Sequence, residues 1–223
     1  GLTAPCVARP SCAYPGRMLE EEYNPSRWTL FRQQQRRAEL SERPFSYEIR
    51  AAEESDLADI REIYNYYVTN SVVTFDEKKW SLAKWRDKFA YLQKQKMPFL
   101  VAESPTGQVL GYALVQPWAG KSAFRFTVED SIYLGHASSG KGLGRALLEA
   151  LIAACEANGI REIVAVISDK GAEGSLVLHE KLGFVEVGRM GRVGFKFGRW
   201  LGTIYLQKSL TPRKKAKRGL FSR

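Results

Sequence analysis

Ser139-Gly140-Lys141-Gly142-Leu143-Gly144-Arg145 is the stretch on which the reading turns. It joins Ser131-Ile132-Tyr133-Leu134, a strand by composition, to a strong helical pattern from Leu143 to Asn158. Glycines at 140, 142 and 144 remove the side chains that would hold a ligand off the backbone. The helix behind them turns its free N–H groups and the positive end of its dipole toward the loop. Strand, bare loop and helix N-terminus together form an anion site suited to phosphate or pyrophosphate. A glycine-rich turn can also be only a tight connection, and the stretch alone leaves both readings open.

Upstream of the loop, Tyr47 to Ala51 alternates as a short strand. Ser55-Asp56 is placed to cap a helix carrying Leu57, Ile60, Ile63, Tyr64, Tyr67 and Val68 at helical spacing. A loop over 69–79 holds Phe75, and Ser81 opens a second helix with Leu82, Trp85, Phe89 and Leu92 on one face. Phe99 to Ala102 and Val109 to Val115 flank Pro105-Thr106-Gly107, which predicts an antiparallel hairpin, and a longer strand follows from Phe124 to Leu134.

Downstream, Asn158-Gly159 ends the helix and Glu162 to Ile167 reads as a buried strand. Ser175 to Leu182 is a short helix closed by Gly183, before strands near 184–192 and 201–207. The predicted order is β-α-α-β-β-β-α-β-α-β-β, an α/β or α+β domain with a mixed sheet. That order excludes a doubly wound dinucleotide fold. A Walker phosphate loop is excluded too, because no Lys-Ser/Thr follows the last glycine.

The chain has 223 residues, 44% of them hydrophobic and 12% aromatic, enough for a real core. Its net charge of +10 suggests a polyanion partner until it is divided along the chain. Residues 1–46 hold seven Arg and five Glu, and residues 211–223 hold six Lys or Arg and no acid. That leaves 21 basic and 19 acidic residues over 47–210, so the basicity is mostly a tail and a nucleic-acid-binding core is disfavoured.

No run of 18 apolar residues is present to span a membrane, and the N-terminus lacks a secretory h-region. Cys6, Cys12 and Cys155 are an odd number without metal-ligand spacing, which implies a reduced, cytoplasmic protein with no metal site. Residues 1–17, with Pro5, Pro10, Pro15 and Gly16, read as a disordered leader or an added segment; Met18 is a candidate start and an organelle-targeting role is the alternative. Residues 18–46 read as a helical arm interrupted near Pro25 and anchored by Trp28, Leu30 and Phe31. The domain then spans 47–210, and 211–223 forms a disordered basic tail.

With the glycine loop after the fourth strand and Leu178-His179-Glu180-Lys181-Leu182-Gly183-Phe184 after the fifth, the chain resembles the GNAT acyl-CoA-dependent N-acetyltransferases. Ile63-Tyr64-Asn65, Gly111-Tyr112-Ala113, Pro117-Trp118, Thr127-Val128-Glu129, Gly140 to Leu148 and Gly194 to Trp200 look like the phosphinothricin and methionine-sulfone acetyltransferase subfamily. The resemblance covers about 47–208. It implies acetyl-CoA lying between the fourth and fifth strands, with the backbone of Ile132, Tyr133 and Leu134 beside the pantetheine arm. Gly140, Lys141, Gly142, Leu143, Gly144 and Arg145 would hold the pyrophosphate, and a homodimer is implied as well.

The implied reaction is attack of a neutral amine on a thioester, which needs a base, oxyanion donors and a leaving thiolate. Strand alternation puts Glu129, Ser131 and Tyr133 on one face, making Glu129 the candidate base; the bland alternative is a solvated strand glutamate. Arg125, Phe126 and Thr127 match the subfamily's substrate-contacting stretch. A guanidinium suits a carboxylate or phosphinate, although a lone strand Arg is more often surface. Phe75 and Trp118 read as pocket walls or as core. His179 stands where many GNAT proteins carry a Tyr that protonates the thiolate, and is a candidate acid or a helix-surface histidine. Departures from the pattern are Ser139 for Gln or Arg, His136 for Pro, Ala172 for Asn and Phe197 for His.

Four functions follow: acetylation of a small amino acid or analogue, acetylation of protein N-termini or lysines, an acyl-CoA-sensing module, or a polyanion binder driven by Arg213 to Arg218.

Overall fold

The computed structural model describes residues 45–210 together with Thr29, Arg32 and Gln33. Those three are exposed helical residues of a separate unit, 1–45, and the domain belongs to a second unit beginning at Ser46. The expectations for the leader, for Met18, Trp28, Leu30 and Phe31 of the arm, and for the tail from 211 lie outside the described residues.

Each helix buries the stripe its sequence marks. In α1 (Leu57–Asn70) the buried residues are Leu57, Ile60, Tyr64, Asn65 and Val68, and in α2 (Leu82–Lys94) they are Trp85, Phe89 and Leu92. The glycine-loop helix, α3 (Leu143–Ala157), buries Leu143, Leu147, Leu148, Leu151 and Cys155. Each such leucine contributes about 1.5–3 kcal/mol by leaving water. The Ser81 hydroxyl accepts from the Lys84 amide at 3.1 Å and caps α2 as expected. At α1 the cap differs: Asp56 Oδ2 accepts from the Glu53 amide at 2.8 Å, and the same carboxylate takes two hydrogen bonds from Arg50.

Seven strands form one sheet: β1 (Glu48–Ala51), β2 (Phe99–Glu103), β3 (Val109–Pro117), β4 (Thr127–Leu134), β5 (Glu162–Ser168), β6 (Val185–Lys196) and β7 (Arg199–Ser209). A short helix, α4 (Glu173–Lys181), follows β5. The element order is the predicted one, and the sheet order is β1-β2-β3-β4-β5-β7-β6. Tyr112 and Leu114 of β3 pack with Leu57, Tyr64, Trp85 and Phe89 of α1 and α2. Strand alternation turns Ala113 and Val115 to the opposite face, and α3 packs on β2, β3 and β4.

Two differences from the sequence reading bear on the site and the terminal hairpin. The fourth strand begins at Thr127, because Ser122–Phe124 forms a single 3-10 turn. The last two strands are longer than expected and meet at Phe197-Gly198, both with positive φ (51° and 73°). A two-residue turn of this hand fits a hairpin's twist, and a Phe in the first position concealed it.

The feature that makes the site is where the sheet comes apart. Parallel pairing of β4 with β5 runs only through Thr127–Glu162, Val128–Ile163 and Glu129–Val164. Beyond that rung both strands continue, β4 to Leu134 and β5 to Ser168, without pairing to each other.

Candidate active site

The splay opens into a cleft of about 980 Å³. Its floor is β4 from Glu129 to Leu134 and β5 from Ala165 to Ile167; one end is the glycine loop and the other an aromatic wall from α1, α2 and β3. Tyr133 lies at the centre of that wall, stacked on Tyr112 (centroids 5.6 Å) and edge-on to Tyr64 (5.2 Å). Burial first, then the neighbouring Asp76, Tyr67 and Glu129, push the Tyr133 phenol up to about 12 against the lowering effect of Thr74, so it stays protonated.

At the loop end, Gly140 (φ 77°) and Gly142 (φ 80°) hold left-handed backbone that any Cβ would strain, and nothing lies within 4 Å of either Cβ position. Gly144 serves differently: its Cβ would sit 3.4 Å from Leu134 and from Leu178, so it lets α3 pack closely. The first amide inside α3 to find a backbone partner is that of Ala146, on the Gly142 carbonyl. Amides at the start of α3 therefore point out over an uncovered turn, which fits a diphosphate. Ser139, Gly140, Gly142, Gly144 and Arg145 line the cleft. Lys141 is exposed outside that lining, and the Leu143 side chain is fully buried core, leaving only its backbone at the loop.

Ile132, Tyr133 and Leu134 all line the cleft along the unpaired edge of β4. The Leu134 carbonyl accepts a 2.6 Å hydrogen bond from the Tyr67 hydroxyl, which fixes the strand's end.

Glu129 occupies the last paired rung, half-buried at the mouth of the splay. Its Oε2 accepts from Gln116 Nε2 at 3.4 Å, and the Gln116 Oε1 accepts in turn from the Lys88 ammonium. Burial first, then the neighbouring Asp130, raise the Glu129 carboxyl above its usual range despite Gln116 and Lys88. The same burial lowers Lys88.

His179 is 2% exposed, so the helix-surface reading is corrected. Its Nδ1–H donates to the Ser175 carbonyl (2.7 Å) and Nε2 lies 2.9 Å from Asp130 Oδ2. A carbonyl can only accept, so with a carboxylate on the other side the ring holds both protons as an imidazolium. Burial pulls His179 down, but Asp130 and the Ser175 carbonyl outweigh it and the net shift is upward. As an acid for a leaving thiolate the residue is poorly placed, since both N–H groups are already engaged. What the pair does is fasten α4 to Asp130, the first residue of β4 past the last rung, where the strands part.

Of the substrate-contacting residues read from the sequence, Phe75 lines the cleft. Arg125, Phe126 and Thr127 do not, and neither does Trp118. Arg125 is exposed, donating to the Ser122 carbonyl and lying 4.6 Å over the Phe126 ring. Residues 125–127 lie ahead of Glu129, at the paired end of β4 and away from the opening.

Lys88, Gln116, Trp85, Tyr112, Asp76 and Asp130 are cleft residues that the sequence reading missed. A readable signal existed for Lys88, which falls on the apolar stripe of α2 one turn after Trp85.

The acetyltransferase (GNAT) domain profile matches residues 49–204. The chain belongs to the GNAT acetyltransferases. This acetyltransferase is 40% identical over 162 residues, 73% of the chain and 82% of the relative, to a phosphinothricin N-acetyltransferase of Alcaligenes faecalis. It is 42% identical over 171 residues, 77% of the chain and 99% of the relative, to the L-methionine sulfoximine/L-methionine sulfone acetyltransferase of Pseudomonas aeruginosa strain PAO1. Among solved structures, it matches a GNAT superfamily phosphinothricin acetyltransferase from Sinorhizobium meliloti in complex with AcCoA. That match has a TM-score of 0.72 and 40% identity, covering 78% of this chain and 95% of the other.

Proposed function

We propose that this acetyltransferase moves the acetyl group of acetyl-CoA to the α-amine of a small amino acid or analogue, of the phosphinothricin, methionine sulfone or methionine sulfoximine type. The observation that carries the reading is Glu129 at the last rung between β4 and β5, facing a cleft that ends in a bare helix N-terminus. The similarity to enzymes named for those substrates supports the substrate class.

When bound, acetyl-CoA supplies a thioester carbonyl open to attack. The amides from Gly140 to Arg145 hold its diphosphate, with the Lys141 and Arg145 charges beside them, and the open edge of β4 at Ile132, Tyr133 and Leu134 receives the pantetheine arm. Phe75 closes the substrate side. Glu129 takes a proton from the amine, directly or through one water; its raised pKa brings it closer to the amine it must deprotonate. A thiol of ordinary pKa, about 8.5, leaves as a thiolate without a dedicated acid and takes its proton from solvent in the open cleft. His179 holds Asp130 and the splay rather than donating a proton.

The reading includes a cytoplasmic homodimer. Exposed Val187, Met190, Val193, Phe195 and Trp200 on the terminal hairpin support a second copy as the cover, which sedimentation would test. The activity itself is tested by thiol release from acetyl-CoA against free amino acids, sulfones, sulfoximines and peptides. Turnover confined to small amino acids is expected. Turnover confined to peptides would move the assignment to protein amines, and tight coenzyme binding without turnover would make the domain a sensor.

A further inference from the structure

The cleft's cations divide between its two ends. Arg145 stands at the glycine-loop end and Lys181 of α4 lines the cleft as well, while Lys88 comes from the α2 side and reaches the Glu129 end through Gln116. Lys88 is half-buried with no carboxylate within salt-bridge distance; its hydrogen-bond partner is the neutral Gln116 oxygen. Two further donors on the same wall have no partner. The Trp85 indole N–H and the Tyr112 hydroxyl are buried, at 3% and 1% exposure of their residues, and neither makes a hydrogen bond. Their rings meet edge-on at 5.7 Å, and Trp85 precedes Lys88 by one turn of α2.

A buried donor left unmade costs about 1–3 kcal/mol, and a half-desolvated ammonium without a counter-charge adds to that. Lys88, joined to the base through Gln116, is thereby arranged for an acceptor that arrives from outside. Phe75, Trp80 and Tyr133 line the same part of the cleft. The acceptor must carry negative charge and lie close to an amine held at Glu129.

Resting on the proposed reaction, we infer that Lys88 is the receptor for the α-carboxylate of the amino-acid substrate. The carboxylate sits one carbon from the reacting amine, and Gln116 and Glu129 are direct cross-strand partners, so one small molecule spans both contacts. Arg125, outside the cleft, is relieved of that role. The Lys88 contact fixes the Gln116 amide so that its N–H side meets Glu129, and carboxylate binding and base orientation share one chain of hydrogen bonds. The depressed Lys88 pKa agrees with a charge awaiting its partner.

The test compares Lys88→Met with the wild type on methionine, methionine sulfone and methionine sulfone amide, by thiol release. Lys88→Met should raise KM about 10- to 100-fold for the two carboxylates, as loss of a charged hydrogen bond does, and change the amide by less than about threefold on the same scale. Equal rises in KM on all three amines would overturn the assignment, as a structural role for Lys88 predicts. Losses on sulfone and sulfone amide but not on methionine would also overturn it, moving the contact to the side-chain oxygens. A wild type silent on every amino acid ends both this inference and the proposed substrate class. A wild type that turns them over while the variant loses nothing selectively ends this inference alone.

Discussion

Glu129 and Asp130 are neighbours on β4, and each belongs to an ionisable cluster, but the two clusters are built in opposite ways. Asp130 and His179 are closed on themselves: buried, charge-balanced, with both imidazole protons engaged. Across the sheet, Lys88, Gln116 and Glu129 form an open chain, half-buried and bordered by donors without partners. Strand alternation sends successive side chains to opposite faces, so a single step along β4 separates the machinery from its support. A fully satisfied buried network holds shape, whereas an unsatisfied one beside a cleft marks where a ligand completes it.

The contrast can be broken by experiment. Its largest expected effect is at Glu129: Glu129→Gln should lower kcat about 10²- to 10⁴-fold with coenzyme affinity retained. An unchanged rate would remove Glu129 as base and make the open chain a binding feature only. Next comes Asp130→Asn, which strands a buried imidazolium and should destabilise the fold by about 3–5 kcal/mol in denaturant titrations. A loss below about 1 kcal/mol would show the pair to be no brace.

The two clusters should also answer pH differently. His179 titrates in the fold above its ordinary 6.5, so its stabilisation is complete below 6.5 and is lost as pH rises through the raised folded value. Thermal unfolding of the wild type should show that decline, and Asp130→Asn should lack it. For Glu129 the effect is on rate. Its carboxyl is raised above 4.5, so the acidic limb of kcat/KM should lie above that value and vanish in Glu129→Gln. The smallest effect is at the loop. Gly142→Ala forces a Cβ into left-handed backbone, costs about 1–2 kcal/mol, and should raise KM for acetyl-CoA more than for the amine.

Much of this was legible beforehand because its causes are local. Apolar stripes marked α1, α2 and α3, Pro105 to Gly107 marked the hairpin, and alternation put Glu129 on the cleft face. What was hidden depends on where strands stop pairing. Resemblance alone put Arg125, Phe126 and Thr127 at the site, and nothing in the letters from 124 to 134 says that β4 and β5 stay paired as far as Glu129. Lys88 and Gln116 meet only because α2 lies over β3, and Asp130 meets His179 only across the opening. Such contacts between distant segments follow from assembly, not from any one segment's composition.

One contact at the far side of the molecule has a reach beyond its size. Phe75, which roofs the cleft, sits against the bare backbone of Gly194, where a methyl group would come within 2.5 Å of its ring. Two residues on, the buried Lys196 ammonium ties itself to the Thr74 carbonyl at 2.9 Å. The loop carrying Thr74 and Phe75 is thus moored to the outermost strand. Whatever grips or loosens that outer hairpin pulls directly on the substrate's doorway, and amide protons over 72–77 should become exchangeable only when those of β6 do.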